Sequence, residues 1–392
     1  MAKKPFKPLL IFKAVISILV IGALIYGAFY YYKKTSTEIN SLYLIKAKAE
    51  KTLSTLSIEI KTLKSRDEYK INKELEANIG AIEKTYNQSV KVYEKLLDLK
   101  TRTKNTGKFD ELFTDILTML SKRNYSSAES ELTDLSKLID EEKAKIAAAF
   151  QIPQNVKESN TPPGAGFSSQ VVKSDVGDFL VYIVAADLNS TRVIVDTASD
   201  ADCRNDCPVL SLADYVSRSG AFAGINGSYF CPADYPSCSD KKNSYDTLAM
   251  NKNKKYINSD NNVYSTVPAV IFSGNSARFV GQSLEWGRDT GVDAVLAMQP
   301  LLVSGGNVVF NGDGEPKRGS KGSRSFVGAS GSTAYIGVVF NATVAEGAHV
   351  IQTLGIQNAL NLDNGGSTAL WSGGYKAGPG RNLPNALLFV GK

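Results

Sequence analysis

The chain has 392 residues, with 45 Lys and Arg against 39 Asp and Glu, 43% hydrophobic residues, four cysteines and one histidine. That length suggests two or three folding units, and the composition excludes a collagen-like, mucin-like or wholly disordered chain. A single histidine excludes His-Glu-x-x-His metalloprotease sites and His-rich metal clusters, and leaves Ser-His-Asp catalysis only if His349 serves.

The first 34 residues hold Lys3, Lys4, Lys7, Lys13, Lys33 and Lys34 and no acid, so they carry the whole net charge of +6. The rest of the chain is neutral in sum, which leaves no basic stripe for a phosphate backbone, and no nucleic-acid partner is expected. Ala14–Tyr32 is free of charge and would span roughly 28 Å as a helix, close to the hydrocarbon core of a bilayer. Tyr26, Tyr30, Tyr31 and Tyr32 crowd its far end, where amphipathic rings favour the lipid–water interface. The lysine flanks predict a single-pass anchor with a cytoplasmic N-terminus and an extracytoplasmic bulk. A cleaved signal peptide is the competing reading, but bulky tyrosines stand where a small-residue cleavage site is needed.

Residues 35–150 are rich in Lys, Glu, Leu and Ile, with Gly80 alone before Gly107 and no proline. Ile39, Leu42, Ile45, Ala49, Leu53, Leu56, Ile60 and Leu63 recur at helical spacing, and Ile71, Leu75, Ile79 and Ile82 continue it. A wider stripe (Phe109, Leu112, Phe113, Ile116, Leu117, Leu120) follows a break at Asn105–Gly107. Two readings stand: a coiled-coil stalk that forms a homodimer or holds the head off the membrane, or a small bundle, which the wider stripe favours in the second half. Residues 151–166, with Pro153, Pro162, Pro163 and Gly164, read as a linker.

From residue 167 the composition turns to Gly, Val, Ser, Ala and Asn. Strands are expected at 179–186, 192–196, 267–272, 307–310, 334–340 and 386–390, with helices near 211–219 and 343–354. Thr343 and Glu346 form a Thr-x-x-Glu capping box for the second helix, in which His349 is a packing or surface residue. Cys203, Cys207, Cys231 and Cys238 favour the short disulfides Cys203–Cys207 and Cys231–Cys238. The competing zinc reading fits their spacings poorly. The fold class is α+β: a mixed β-sheet head with two short helices, preceded by a transmembrane helix and an all-α stalk.

Three segments place polar residues in glycine-rich turns beside strands: Gly224–Phe230, Lys321–Gly328 and Ala359–Leu370. A carboxylate at a strand end, followed by glycines that admit a ligand to the backbone, is a common binding-site construction. The ordered set Asn226-Gly227-Ser228-Tyr229-Phe230, Arg324-Ser325-Phe326-Val327-Gly328, Leu360-Asn361-Leu362-Asp363-Asn364-Gly365-Gly366-Ser367 and Arg381 resembles the phosphodiester glycosidase family. Ala297–Val303 also looks like that family's apolar-Pro-Leu-Leu-Val segment. Two departures stand out: Asn364 replaces a glycine, and a family Asp-Gly-Arg loop is missing where Val338-Val339-Phe340 runs into Asn341-Ala342-Thr343.

The resemblance implies a sugar-1-phosphodiester hydrolase acting on a glycan or exopolysaccharide. Asp363 would stabilise or attack the oxocarbenium-like state, or activate water. Arg324 and Arg381 would bind the phosphate, and Asn226 would offer its amide to a sugar hydroxyl. Tyr229, Asn361, Asn364, Gly365, Gly366 and Ser367 would line the pocket. No metal-ligand set is visible, and no cofactor is expected. In the alternative, the arginines pair with structural acids such as Asp363, and the head is a non-catalytic glycan-binding or envelope-assembly module displayed on the stalk.

Overall fold

The computed structural model describes residues 8–260, 266–287 and 291–392, with side chains from Lys13 onward except Ala14. Lys3, Lys4 and Lys7 of the basic flank lie outside the described residues. The chain divides into two compact units, Met1–Glu83 and Lys84–Lys392.

The first unit is helical. Helix α1 runs Pro8–Ser65 and α2 begins at Asp67. Over Val15–Ser65, α1 contains a stretch long and apolar enough to cross a membrane. Beyond that stretch, Ile39, Leu42, Ile45, Leu53, Leu56, Ile60 and Leu63 remain exposed.

The second unit starts inside α2, which ends at Arg102, and continues through α3 (Gly107–Ser121) and α4 (Tyr125–Ala148). Val92, Leu96 and Leu99 of α2 bury against Phe109 and Ile116 of α3 and Leu132, Leu135 and Ile139 of α4. Their three- and four-residue spacings put each set on one helical face, so this part is a small bundle with its own core. Asn124 caps α4 by accepting from the Ser127 amide. The expected linker is not wholly irregular, since Lys157–Glu158 pairs in parallel with Gln170–Val171.

Among the described residues, the head is built from three sheets. The largest has eight strands in the spatial order 157–158, 166–174, 177–187, 333–342, 322–330, 358–361, 301–304 and 307–308. A second sheet runs 375–377, 370–372, 223–226, 385–391 and 191–197, and a third runs 256–257, 249–250, 294–297, 269–273 and 276–280. Apart from the two-residue parallel pairing, neighbouring strands are antiparallel.

Alternation along the strands distributes the side chains between layers. Val184 and Ala186 face a central core shared with Val193, Val195, Ile225, Leu387 and Phe389 of the second sheet and with Val270 and Leu296 of the third. Ile183 and Ala185 point the other way, against Val344, Ala348 and Ile351. Similarly Ile194, Leu388 and Val390 meet Leu212, Tyr215 and Val216. The helices carrying these last two groups are α5 (Leu212–Ser219) and, after the single-turn α6 (Pro316–Gly319), α7 (Val344–Thr353). The head is therefore layered, with α7 outside the largest sheet and α5 outside the second.

The strands at 177–187, 191–197, 333–342 and 385–391 enclose those expected, and the strands at 269–273 and 307–308 overlap only part of theirs. Both helices end within a residue of expectation, and the Thr343–Glu346 capping box forms. His349 sits on α7 with Nδ1 2.9 Å from Asp175. Cys203–Cys207 and Cys231–Cys238 are both disulfide-bonded. One expectation changes. Lys321–Gly328 reads as a glycine-rich turn, but Gly322–Ser330 is an interior strand of the largest sheet. Gly328 serves close packing against the neighbouring strand and its approach: a Cβ there would lie 2.8 Å from Ile356 Cγ2 and 3.0 Å from Asn358 O.

Candidate active site

Asp363 stands where the chain leaves the largest sheet and enters the second. The strand Asn358–Asn361 pairs with the strand carrying Arg324, with Asn361 opposite Phe326. The Leu362 amide then donates to Ser325 O (2.9 Å) and the Asp363 amide to Gly227 O (2.9 Å). A tight turn follows, with Gly365 at φ +61°, before Leu370–Ser372 joins the strand Ala223–Asn226. The two sheets thus fix both ends of a short loop, and glycine supplies the left-handed backbone at its centre.

Asn226 staples that loop from below. Its Nδ2 donates to Asp363 O (2.7 Å), and its Oδ1 accepts from Ser325 Oγ (2.9 Å) and the Ala369 amide (3.1 Å). The side chain is wholly buried, so its amide holds protein groups together rather than facing a sugar. Gly227 is required beside it, because a Cβ there would fall 1.8 Å from Asn385 Oδ1. That oxygen accepts from the Ser228 amide, while Asn385 Nδ2 donates to Ser228 Oγ.

The Asp363 carboxylate is half-buried and accepts from the Asn364 amide (2.8 Å) and from the Ser367 hydroxyl. Desolvation raises its pKa from the ordinary 3.8 to about 6, against the opposing pull of those hydrogen bonds and of the Arg381 and Lys317 charges. Tyr229 OH accepts from Asn361 Nδ2 (2.8 Å) and Asn364 Nδ2 (3.4 Å). Burial, aided by the Asp363 charge, pushes the Tyr229 phenol up to about 12, so it keeps its proton at neutral pH. Asn361 and Asn364 are also joined to each other (3.0 Å), and Asn364 Oδ1 accepts from the Ser325 amide.

The two arginines occupy different environments. The Arg381 amide donates to Gly366 O (2.9 Å), and its guanidinium lies against that glycine, which has no room for a Cβ beside it. The same guanidinium sits 5.3 Å from the Tyr235 ring centre and 3.8 Å from Asp234 Oδ2. Arg324 is 7% exposed and spends its N–H groups on carbonyls: Nε on Ala342 O (2.8 Å), and one terminal nitrogen on Lys317 O (3.1 Å) and Ser320 O. Burial lowers its pKa to about 10, still well above neutrality.

The structure therefore brings Asp363, Arg381, Tyr229, Asn361, Asn364 and the Gly365–Ser367 turn together, with Asn226 beneath them and Arg324 committed to the backbone of 317–320. Sequence reasoning did not single out Lys317 or Tyr235. Lys317 is exposed, acts electrostatically on Asp363, and approaches the Tyr235 ring to 5.5 Å. No motif marks either residue, because the site gathers them from separate loops.

The sequence profile of the phosphodiester glycosidase family matches residues 219–390. Among solved structures, a hypothetical protein from Synechocystis aligns at 12% identity and TM-score 0.40, covering 58% of this chain and 62% of that one. The catalytic domain of zebrafish N-acetylglucosamine-1-phosphodiester alpha-N-acetylglucosaminidase, auto-inhibited by its pro-peptide, aligns at 14% identity and TM-score 0.45, covering 60% and 86%. An exported protein from Burkholderia pseudomallei aligns at 11% identity and TM-score 0.34, covering 54% and 74%. No curated protein matches the chain. The matched profile extends from α5 to the last strand and takes in Asn226, Arg324, Asp363 and Arg381, so the head resembles a phosphodiester glycosidase over that stretch.

Proposed function

We propose that this protein is a membrane-anchored phosphodiester glycosidase whose head hydrolyses a sugar-1-phosphodiester in a glycan or exopolysaccharide outside the membrane. The observation that carries the reading is Asp363: a half-buried carboxylate in a glycine turn at the end of an interior strand, with two cations beside it. In its ionised form it stabilises the developing oxocarbenium charge, attacks the anomeric carbon, or draws a proton from attacking water. The phosphate departs as a stable anion, so the second carboxylic acid that ordinary glycosidases use on a poor leaving group is not needed.

Arg381 and Lys317 bind the phosphate through charge-assisted hydrogen bonds. Tyr235, within reach of both cations, offers a ring face to a sugar. Asn226 and Arg324 act beneath this surface. Asn226 fixes the Asp363 loop, and Arg324 anchors the backbone of the segment that presents Lys317.

The lysine flanks of α1 and the two disulfides support an extracytoplasmic head. The exposed apolar face of α1 beyond the membrane stretch supports self-association through the stalk. A second reading, a glycan-binding head without turnover, is favoured by one observation: the side chains of Asn226 and Arg324 are consumed by protein partners. Incubating the detergent-solubilised full chain with a panel of defined sugar-1-phosphodiesters separates the two. Sugar release that disappears in Asp363→Asn supports the enzyme, whereas binding without release supports the alternative.

A further inference from the structure

The last turns of α2 reach the candidate site. A Cβ on Gly366 would lie 2.9 Å from Thr101 Cγ2, and one on Gly365 would lie 3.7 Å from Asp98 Oδ1. Glu94 Oε1 accepts from the Ser237 amide (3.0 Å), in the loop that carries Tyr235. Arg102 donates to Lys321 O (2.6 Å), in the loop that follows Lys317. Glu94, Asp98, Thr101 and Arg102 share one helical face, and each meets a different part of the rim around Asp363. Asp363 to Gly366 each keep accessible surface with the helix in place, so α2 borders the opening without sealing it.

This border is largely polar. The apolar core of the bundle is separate from the cores of the sheets, and apart from the Thr101 methyl against Gly366 the rim contacts are hydrogen bonds and charges. Asp98 Oδ2 lies 2.6 Å from Lys143 Nζ and 3.2 Å from Arg102, which pin the carboxylate in place. Burial alone would raise the Asp98 carboxyl, but Lys143 and Arg102 outweigh it and hold it below the ordinary carboxylate range. Asp98 is therefore a fixed negative charge, and it acts on Tyr235 and Arg324 and itself feels the Lys317 charge.

Resting on the phosphodiester reading of the site, we propose that Asp98 is a specificity-determining residue that admits a monoanionic phosphodiester and disfavours a dianionic phosphate monoester. Hydrolysis at the anomeric carbon breaks the carbon–oxygen bond, the water oxygen joins the sugar, and the bridging oxygen leaves with the phosphate. The leaving monoester then gives up a second proton near neutrality. This product carries about twice the substrate's charge and meets correspondingly more repulsion from Asp98, which speeds its departure.

The test titrates methyl phosphate (a dianion at pH 8) and dimethyl phosphate (a monoanion) into the full-length protein in detergent. Asp98→Asn is expected to tighten methyl phosphate about fivefold and dimethyl phosphate about twofold, as a charge removed near the site should. Lys143→Gln leaves Asp98 less compensated, and is expected to weaken methyl phosphate instead. Damage to helix packing would not give opposite signs in the two variants. Equal shifts for the two anions, shifts of one sign in both variants, or no binding of either anion overturns the proposal. The titration reads binding alone, so a failed hydrolysis assay on the diester panel would sink the enzyme reading while leaving Asp98 its role in anion selection.

Discussion

The side chain of Asn226 and the backbone of Asp363 are joined by a 2.7 Å hydrogen bond that links the second sheet to the loop leaving the first. Asn226 also binds Ser325 and Ala369, so one buried amide sets the position of the carboxylate from three sides. The residue expected to touch substrate instead places the residue that would. Removing such an amide leaves several buried groups without partners, at about 1–3 kcal/mol each.

The raised pKa of Asp363 has a sign that stability measurements can read. Between pH of about 4 and 6 the folded protein holds a proton that the unfolded chain has released, so stability falls as pH rises through that window. Asp363→Asn keeps the acceptor oxygen without the charge. It is expected to flatten this dependence and to stabilise the protein at pH 7.5 by on the order of 1–3 kcal/mol. Thermal unfolding of both proteins from pH 4 to 8 checks it, and a less stable variant at pH 7.5 contradicts the raised pKa.

Catalysis by the ionised carboxylate fixes the direction of the pH–rate profile. kcat/KM is expected to climb with pH and level off above an apparent pKa of about 6. A profile that falls through that range would make Asp363 a proton donor instead.

The three cations near the site should separate into two classes. Lys317→Ala and Arg381→Ala are expected to raise KM for a phosphodiester about 10-fold or more with the fold intact, since each loses a charge-assisted contact. Arg324→Ala removes a buried donor shared by the carbonyls of Ala342, Lys317 and Ser320, and is expected to lower stability by about 2–4 kcal/mol. Circular dichroism melts alongside steady-state kinetics distinguish these outcomes.

Asp196 tests the scaffold independently of function. It is 2% exposed and is held by Arg218 (2.8 and 2.6 Å), Lys252 (2.8 Å) and Ser219 (2.8 Å). Burial pushes its carboxyl up, but these partners outweigh burial and keep it below the ordinary value. Its contribution is present above pH of about 4 and is lost as pH falls through the folded-state value. Asp196→Ala, which leaves Arg218 and Lys252 facing an unfilled acceptor site, is expected to cost about 3–5 kcal/mol in denaturant unfolding at pH 7.

The parts of this fold legible in the sequence are those fixed by local pattern. Near-continuous apolar runs mark 179–186, 334–340 and 386–390 because each of those strands is covered on both faces, by the central core and by a helix layer. The Thr343–Glu346 pair marks α7 because a capping box is local. Gly322–Ser330 was opaque because glycine signals a turn and equally a close approach across a sheet, as where Gly337 leaves room for Phe326. At the site, the Asp363 turn was legible as a motif. What was not legible was which way each polar group faces. Asn226 and Arg324 look like ligands until their partners are known, and Asp98, on a helix far earlier in the chain, reaches the site only through tertiary contact.

Isotope tracing distinguishes cleavage at the anomeric carbon from cleavage at phosphorus. A sugar-1-phosphodiester is hydrolysed by the full-length protein in water enriched in oxygen-18, and the products are separated and weighed by mass spectrometry. The expected result is one heavy oxygen in the released sugar, none in the phosphate monoester, and no release by Asp363→Asn. Heavy oxygen in the phosphate would mean attack at phosphorus, and would contradict the role of Asp363 in chemistry at carbon.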